Sequence, residues 1–142
     1  MPRIDEEIVI GAPPQRVWEI LVDFPAHQEW NPFLRFDHGS TVVGERLAIQ
    51  ITLPGRDPMR FQPRLVACEP QRRYAWLGRA PIPKLFDGQH EFGLDPVPDG
   101  TRLRQFEVFR GILPPLMRST LRQTRAGFAL MNAALKERAE QG

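Results

Sequence analysis

The sequence predicts an α+β domain in which one long terminal helix lies across the apolar face of a curved antiparallel sheet. Three observations predict it. Residues 114–140 form the only long segment with helical spacing: Leu116, Met117, Thr120, Leu121, Thr124, Phe128, Met131 and Leu135 recur at intervals of three and four. Between residues 34 and 110 the chain reads almost wholly as short alternating segments cut by proline and glycine turns. Two short helical stretches follow a first strand. The expected architecture is thus about six or seven strands wrapped around the last helix.

Each element has its own reason. Residues 3–10 end in a strand-like run with Ile8 and Ile10 on one face. Pro13 and Pro14 open a helix over 13–22, where Val17, Ile20 and Leu21 make a stripe beside Trp18. A second helical turn spans 25–29 and leads into Trp30-Asn31-Pro32-Phe33. Strands are expected at 34–37 and 46–53, the latter with Leu47, Ile49, Ile51 and Leu53 in phase. Another covers 59–68, with Met59, Phe61 and Leu65 inward and Pro63 forced to a bulge or edge. Tyr74 and Trp76 share a face of 72–78; His90, Phe92 and Leu94 share one of 87–95. In 101–110, Leu103, Gln105, Glu107 and Phe109 face one way and the arginines the other. Pro114 and Pro115 suit the first turn of the closing helix, which at about 25 residues would be roughly 37 Å long.

Composition narrows the function. The chain has 142 residues, 42% hydrophobic and 25% charged, enough for one domain with its own core. Net charge is +2, and the arginines are dispersed without a basic run, so no nucleic-acid partner is expected. No apolar run is long enough to span a membrane, and no signal peptide is visible. Cys68 is the sole cysteine, which excludes an internal disulfide and suits a cytoplasmic setting. No His, Cys, Asp or Glu spacing suggests a metal site, and no phosphate loop, dinucleotide fingerprint or Ser-His-Asp pattern is present; no cofactor is expected.

These features resemble the START/Bet v 1-like superfamily, also called SRPBCC, and within it the bacterial polyketide cyclase/dehydrase-like members. The opening EEIVIGAPPQRVWEILVDFPAHQEWNPF carries most of the likeness. EPQRRYAWLG, GQHEFGL, GTRLRQFEVFRGIL and the closing amphipathic helix extend it over nearly the whole chain. The resemblance implies a helix-grip fold with an internal apolar cavity. It also implies binding of lipids, polyketides or other hydrophobic small molecules on a scaffold that equally hosts cyclases and co-chaperone-like domains.

The polar exceptions on the inner faces are the candidates for chemistry. His90 falls roughly opposite Gln105 or Glu107 if their strands pair through the 96–100 turn. A His90–Glu107 pair could orient a ligand oxygen or act as base and orienter. It could equally be a satisfied pair that fixes strand register. Trp30 and Asn31 either close one end of the cavity or serve as a core anchor and a turn cap. The expected lining comprises Trp30, Asn31, Phe61, Tyr74, Trp76, His90, Phe92, Gln105, Glu107, Thr124, Gly127, Phe128 and Met131. Gly127 is either a close-packing position or space left for ligand. The segment 79–86, with Pro81, Pro83, Leu85 and Phe86, is either a gate or an ordinary loop. The expected partner is a hydrophobic small molecule bound by a monomer or homodimer, with a transient anionic-membrane contact through Arg60, Arg64, Arg102 and Arg104 as a further reading. The rival reading is a cyclase/dehydratase-like enzyme using His90 and Glu107, and a third is a co-chaperone-like interaction domain.

Overall fold

The computed structural model describes residues 3–79, 86–111 and 118–141. The chain begins with β1 (Arg3–Ile10) and α1 (Pro14–Leu21), followed by a 3-10 turn at Phe24–Ala26 and α2 (His27–Trp30). Then come β2 (Leu34–His38), β3 (Ala48–Ile51), β4 (Met59–Phe61), β5 (Arg64–Glu69), β6 (Arg73–Arg79), β7 (Phe86–Val97) and β8 (Gly100–Gly111), and α3 (Arg118–Glu140) closes the fold. Leu116, Met117 and the two prolines before them lie outside the described residues. So does the segment 80–85, which carries most of the expected gate.

The expected helix-grip arrangement is present, with one correction to the sheet. Eight strands form a five-stranded sheet in the order β1-β8-β7-β6-β5 and a three-stranded sheet in the order β2-β3-β4. The single strand expected over 59–68 is two strands in different sheets. Pro63 lies at the break, where it has no amide proton to give a ladder. The junction is still stitched: Arg46 bridges Arg64, Leu47 N donates to the Pro63 carbonyl at 2.8 Å, and Leu65 N donates to Glu45 O at 2.9 Å. The strand expected over 46–53 is correspondingly short: Arg46 and Leu47 serve this stitching, and at the other end Thr52 N donates to Phe33 O at 2.9 Å. Met59, expected inward, is 45% exposed on the edge strand β4.

All neighbouring strands pair antiparallel, so side chains alternate between an inner and an outer face, apart from irregularities between Phe36 and His38 and between Leu65 and Ala67. Leu103, Gln105 and Phe109 are buried inward, while Arg102 and Arg110 are exposed outward. Helix α3 rests chiefly on β1 and also touches α1, β8 and α2. Its buried face is Gly127, Phe128, Met131, Asn132, Leu135 and Ala139. The stripe expected from spacing thus holds in the second half of the helix, with Asn132 and Ala139 added to it. Two features fix the hairpin end of the sheet. Thr101 Oγ1 donates to Ala12 O at 2.7 Å, and Gly100 has φ 140° with backbone atoms of Ile10 and Ala12 where a side chain would begin.

Candidate functional site

Register organises the inner face into rows that run across β6, β7 and β8. One row is Tyr74–Phe92–Gln105, the next Trp76–His90–Glu107, and the next Gly78–Gly88–Phe109. His90 is therefore directly opposite Glu107, one of the two partners the turn geometry allowed. The first two rows are filled by large side chains. Trp76 stacks on His90 with ring centroids 4.5 Å apart, and Phe92 and Phe128 meet the same imidazole at 4.9 and 4.8 Å. Phe33 meets Phe128 edge-on at 5.6 Å. Sheet and helix are packed together over this region.

The third row is different. Gly78 and Gly88 are cross-strand partners, so the inner face carries no side chain on two adjacent strands there. A Cβ at Gly78 would make only ordinary contacts, with Gly88 O and the Phe61 ring at 3.9 Å. A Cβ at Gly88 would run into Oε2 of Glu107, so that carboxylate leans over the bare backbone. Glu107 keeps 19% of its side chain exposed, against 2% for His90.

Hydrogen bonds determine where the protons are. The carbonyls of Glu6 and Phe128 can only accept, and they orient Asn132 Nδ2 at 3.3 Å and Gln105 Nε2 at 3.4 Å. Gln105 Nε2 also donates to Asn132 Oδ1 at 2.8 Å. Gln105 Oε1 is thereby turned to His90 Nε2 at 3.0 Å, and that nitrogen must donate. His90 Nδ1 faces Glu107 Oε1 at 3.2 Å. The other oxygen of Glu107, over Gly88, takes no part in this chain.

The remaining expected residues have varied surroundings. Tyr74 donates its hydroxyl to Ser40 O at 2.6 Å, and burial pushes its ionisation well above the usual phenol range. Phe61 is half-buried beside Gly78. Met131 and Phe128 are fully buried in the core. Thr124 Oγ1 donates back to Thr120 O at 2.8 Å within its own helix. The space beside Gly127 is taken by the ring of Phe33, where a Cβ would overlap it. Asn31 acts as a turn cap: Oδ1 accepts from Phe33 N and Leu34 N at 2.9 and 3.0 Å, and Nδ2 donates to His27 Nδ1. Trp30 is half-buried, and its indole N–H has no partner among the described residues.

Sequence reasoning passed over three groups. His27 is wholly buried, donates from Nε2 to Leu21 O at 2.7 Å and accepts from Asn31 at 3.0 Å. Burial lowers its pKa to about 4, against the opposing pull of the Leu21 carbonyl. Asn132 keeps the spacing of the apolar stripe, four residues after Phe128 and three before Leu135, and was hidden only because it is polar. Gly78 and Gly88 were legible in principle, since both fall in the inward phase of their strands. Among the described residues no group of His, Cys, Asp and Glu could hold a metal ion, and no helix is long and apolar enough to cross a membrane.

An antiparallel sheet gripping a terminal helix, with a polar pair beside a bare stretch of its inner face, defines a helix-grip α+β protein. The family model described as "Polyketide cyclase / dehydrase and lipid transport" matches residues 1–140, and the chain belongs to that family. No curated relative matches the chain. Among solved structures, protein CV1439 from Chromobacterium violaceum is similar over 100% of both chains, with 20% identity and TM-score 0.78. The Zhui aromatase/cyclase from Streptomyces sp. R1128 has 17% identity and TM-score 0.77, over 98% of this chain and 93% of that one. Protein MLL2253 from Mesorhizobium loti has 22% identity and TM-score 0.72, over 96% and 95%. At these identities the likeness is one of fold.

Proposed function

We propose that the protein binds a hydrophobic small molecule between the inner sheet face and α3, with a hydroxyl of the ligand bonded to Glu107. The observation that carries this is the Gly78–Gly88 pair beside the partly exposed Glu107 carboxylate. Two adjacent inward glycines remove the side chains that would otherwise close this end of the core. Glu107 Oε2 is the polar group nearest that space and, as an acceptor, favours a ligand that donates. The family description, which joins cyclases with lipid transport, supports a small-molecule ligand of this kind.

The test compares 2-naphthol with 2-methylnaphthalene by intrinsic-fluorescence titration. Wild type should bind both and prefer the naphthol, and Glu107→Gln should narrow that preference. Gly78→Val, which the backbone accommodates, should fold normally and lose binding of both. A protein that binds neither compound, and yields no co-purifying apolar molecule by native mass spectrometry, would refute the reading.

The second reading is a cyclase/dehydratase-type activity, favoured by the 3.2 Å contact between His90 Nδ1 and the partly exposed Glu107 carboxylate. Positioned carboxylates and imidazoles of this kind serve as general acid–base groups. It requires that wild type, but not Glu107→Gln, exchange the α-hydrogens of bound α-tetralone with deuterated solvent.

A further inference from the structure

A cleft of about 330 Å³ opens between β1, the end of β8 and the first turns of α3. Its floor is apolar, formed by Ile4, Phe109 and Leu121, and its rim carries Arg3, Arg122 and Arg125 with Asp5 as the one acid. Phe109 is the key to its meaning. The same ring that floors the cleft lies 3.4 Å from where a Cβ of Gly88 would be, and Phe109 is the cross-strand partner of Gly88. Phe109 therefore borders both the cleft and the glycine row.

The rim charges are not equivalent. Arg3 is paired with Asp5 at 2.9 Å and covers the Phe106 ring from 4.4 Å, which turns it to the outer face. Arg125 is paired with Glu6 at 2.7 Å. Arg122 is exposed and has no acid partner among the described residues. Basic side chains over an apolar floor match a molecule with an oily body and an anionic end.

We infer that the ligand is an amphiphilic carboxylic acid whose carboxylate is received by Arg122 in this cleft while its apolar body lies along Phe109 and the Gly78–Gly88 row. This rests on the binding reading above and adds the acid group to it. Two to three strand spacings separate Gly78 from the cleft, roughly 10–14 Å. A chain of eight to ten carbons has about that reach.

The experiment uses decanoate and 1-decanol as probes, below their micelle or solubility limits, with wild type and Arg122→Ala. Wild type should bind decanoate more tightly than decanol, and the advantage should shrink as ionic strength rises. Arg122→Ala should weaken decanoate binding by about fivefold, the scale of one partly screened charge pair, and leave decanol unchanged. Equal affinity for both probes, indifferent to Arg122→Ala, overturns the acid inference and leaves the apolar pocket standing. Binding of neither probe overturns both readings. Decanoate binding that ignores Arg122→Ala, with loss of sedimentation on phosphatidylglycerol vesicles, would assign the arginines to a lipid surface and also overturn it.

Discussion

At the scale of single residues, the two buried histidines solve one problem in different ways. His27 satisfies both ring nitrogens with a carbonyl acceptor and an amide donor, which fixes a neutral ring. His90 faces two side-chain oxygens, Gln105 Oε1 and Glu107 Oε1, at 3.0 and 3.2 Å. The neutral His27 makes stability depend on pH. Its folded pKa of about 4 lies below the ordinary value of 6.5, so between these values the unfolded chain binds the proton and the folded chain does not. Stability from this group is complete above pH 6.5 and falls as pH drops towards 4, by about 3 kcal/mol at 1.36 kcal/mol per unit. Urea unfolding midpoints measured across this range should fall for wild type and flatten for His27→Gln; parallel slopes would remove His27 as the cause. Nothing in the sequence near His27 announces this, because its partners, the Leu21 carbonyl and the Asn31 amide, are set by how α1 meets α2.

At the scale of elements, glycine and proline decide where pieces end and what they touch. Pro63 was recognisable as a fault in a strand, but which sheet each half would join depended on the distant stitching to Glu45 and Leu47. Gly127 was recognisable as an opening in the long helix, but the sequence could not say what fills it. Phe33, two residues after the Asn31 cap, does so. Gly127→Leu should therefore drive that ring from its place and cost about 1–3 kcal/mol, the usual penalty for overfilling a core. Denaturant unfolding of Gly127→Leu, Phe33→Ala and the double variant checks this. A double variant more stable than the sum of the single losses is expected, because the two changes relieve one another. Strict additivity would place the leucine elsewhere.

At the scale of the whole molecule, alternation and helical spacing made the architecture readable, since one wet and one oily face per element leave few ways to stack them. The inner face of β7 and β8 was legible down to the His90–Glu107 opposition. The arginine-rimmed cleft was not, because it joins Arg3 and Ile4 to Leu121 and Arg122 from opposite ends of the sequence. The same ends are laced together elsewhere: Arg16 donates to the carbonyls of Arg138, Ala139 and Gln141, Lys136 to Val9 O, and Glu140 accepts from Gly11 N. Ending the chain after Leu135 should raise amide exchange in β1 and α1 together, as read by mass spectrometry; protection lost in α3 alone would show the lacing to be idle. The opening strand is held by β8 on one side and α3 above, partners that begin only at Gly100 and Arg118. A nascent chain must keep the apolar face of that strand, Ile4, Ile8 and Ile10, from wrong company until β8 and α3 have emerged, and mutations that speed aggregation without touching the finished fold should gather there.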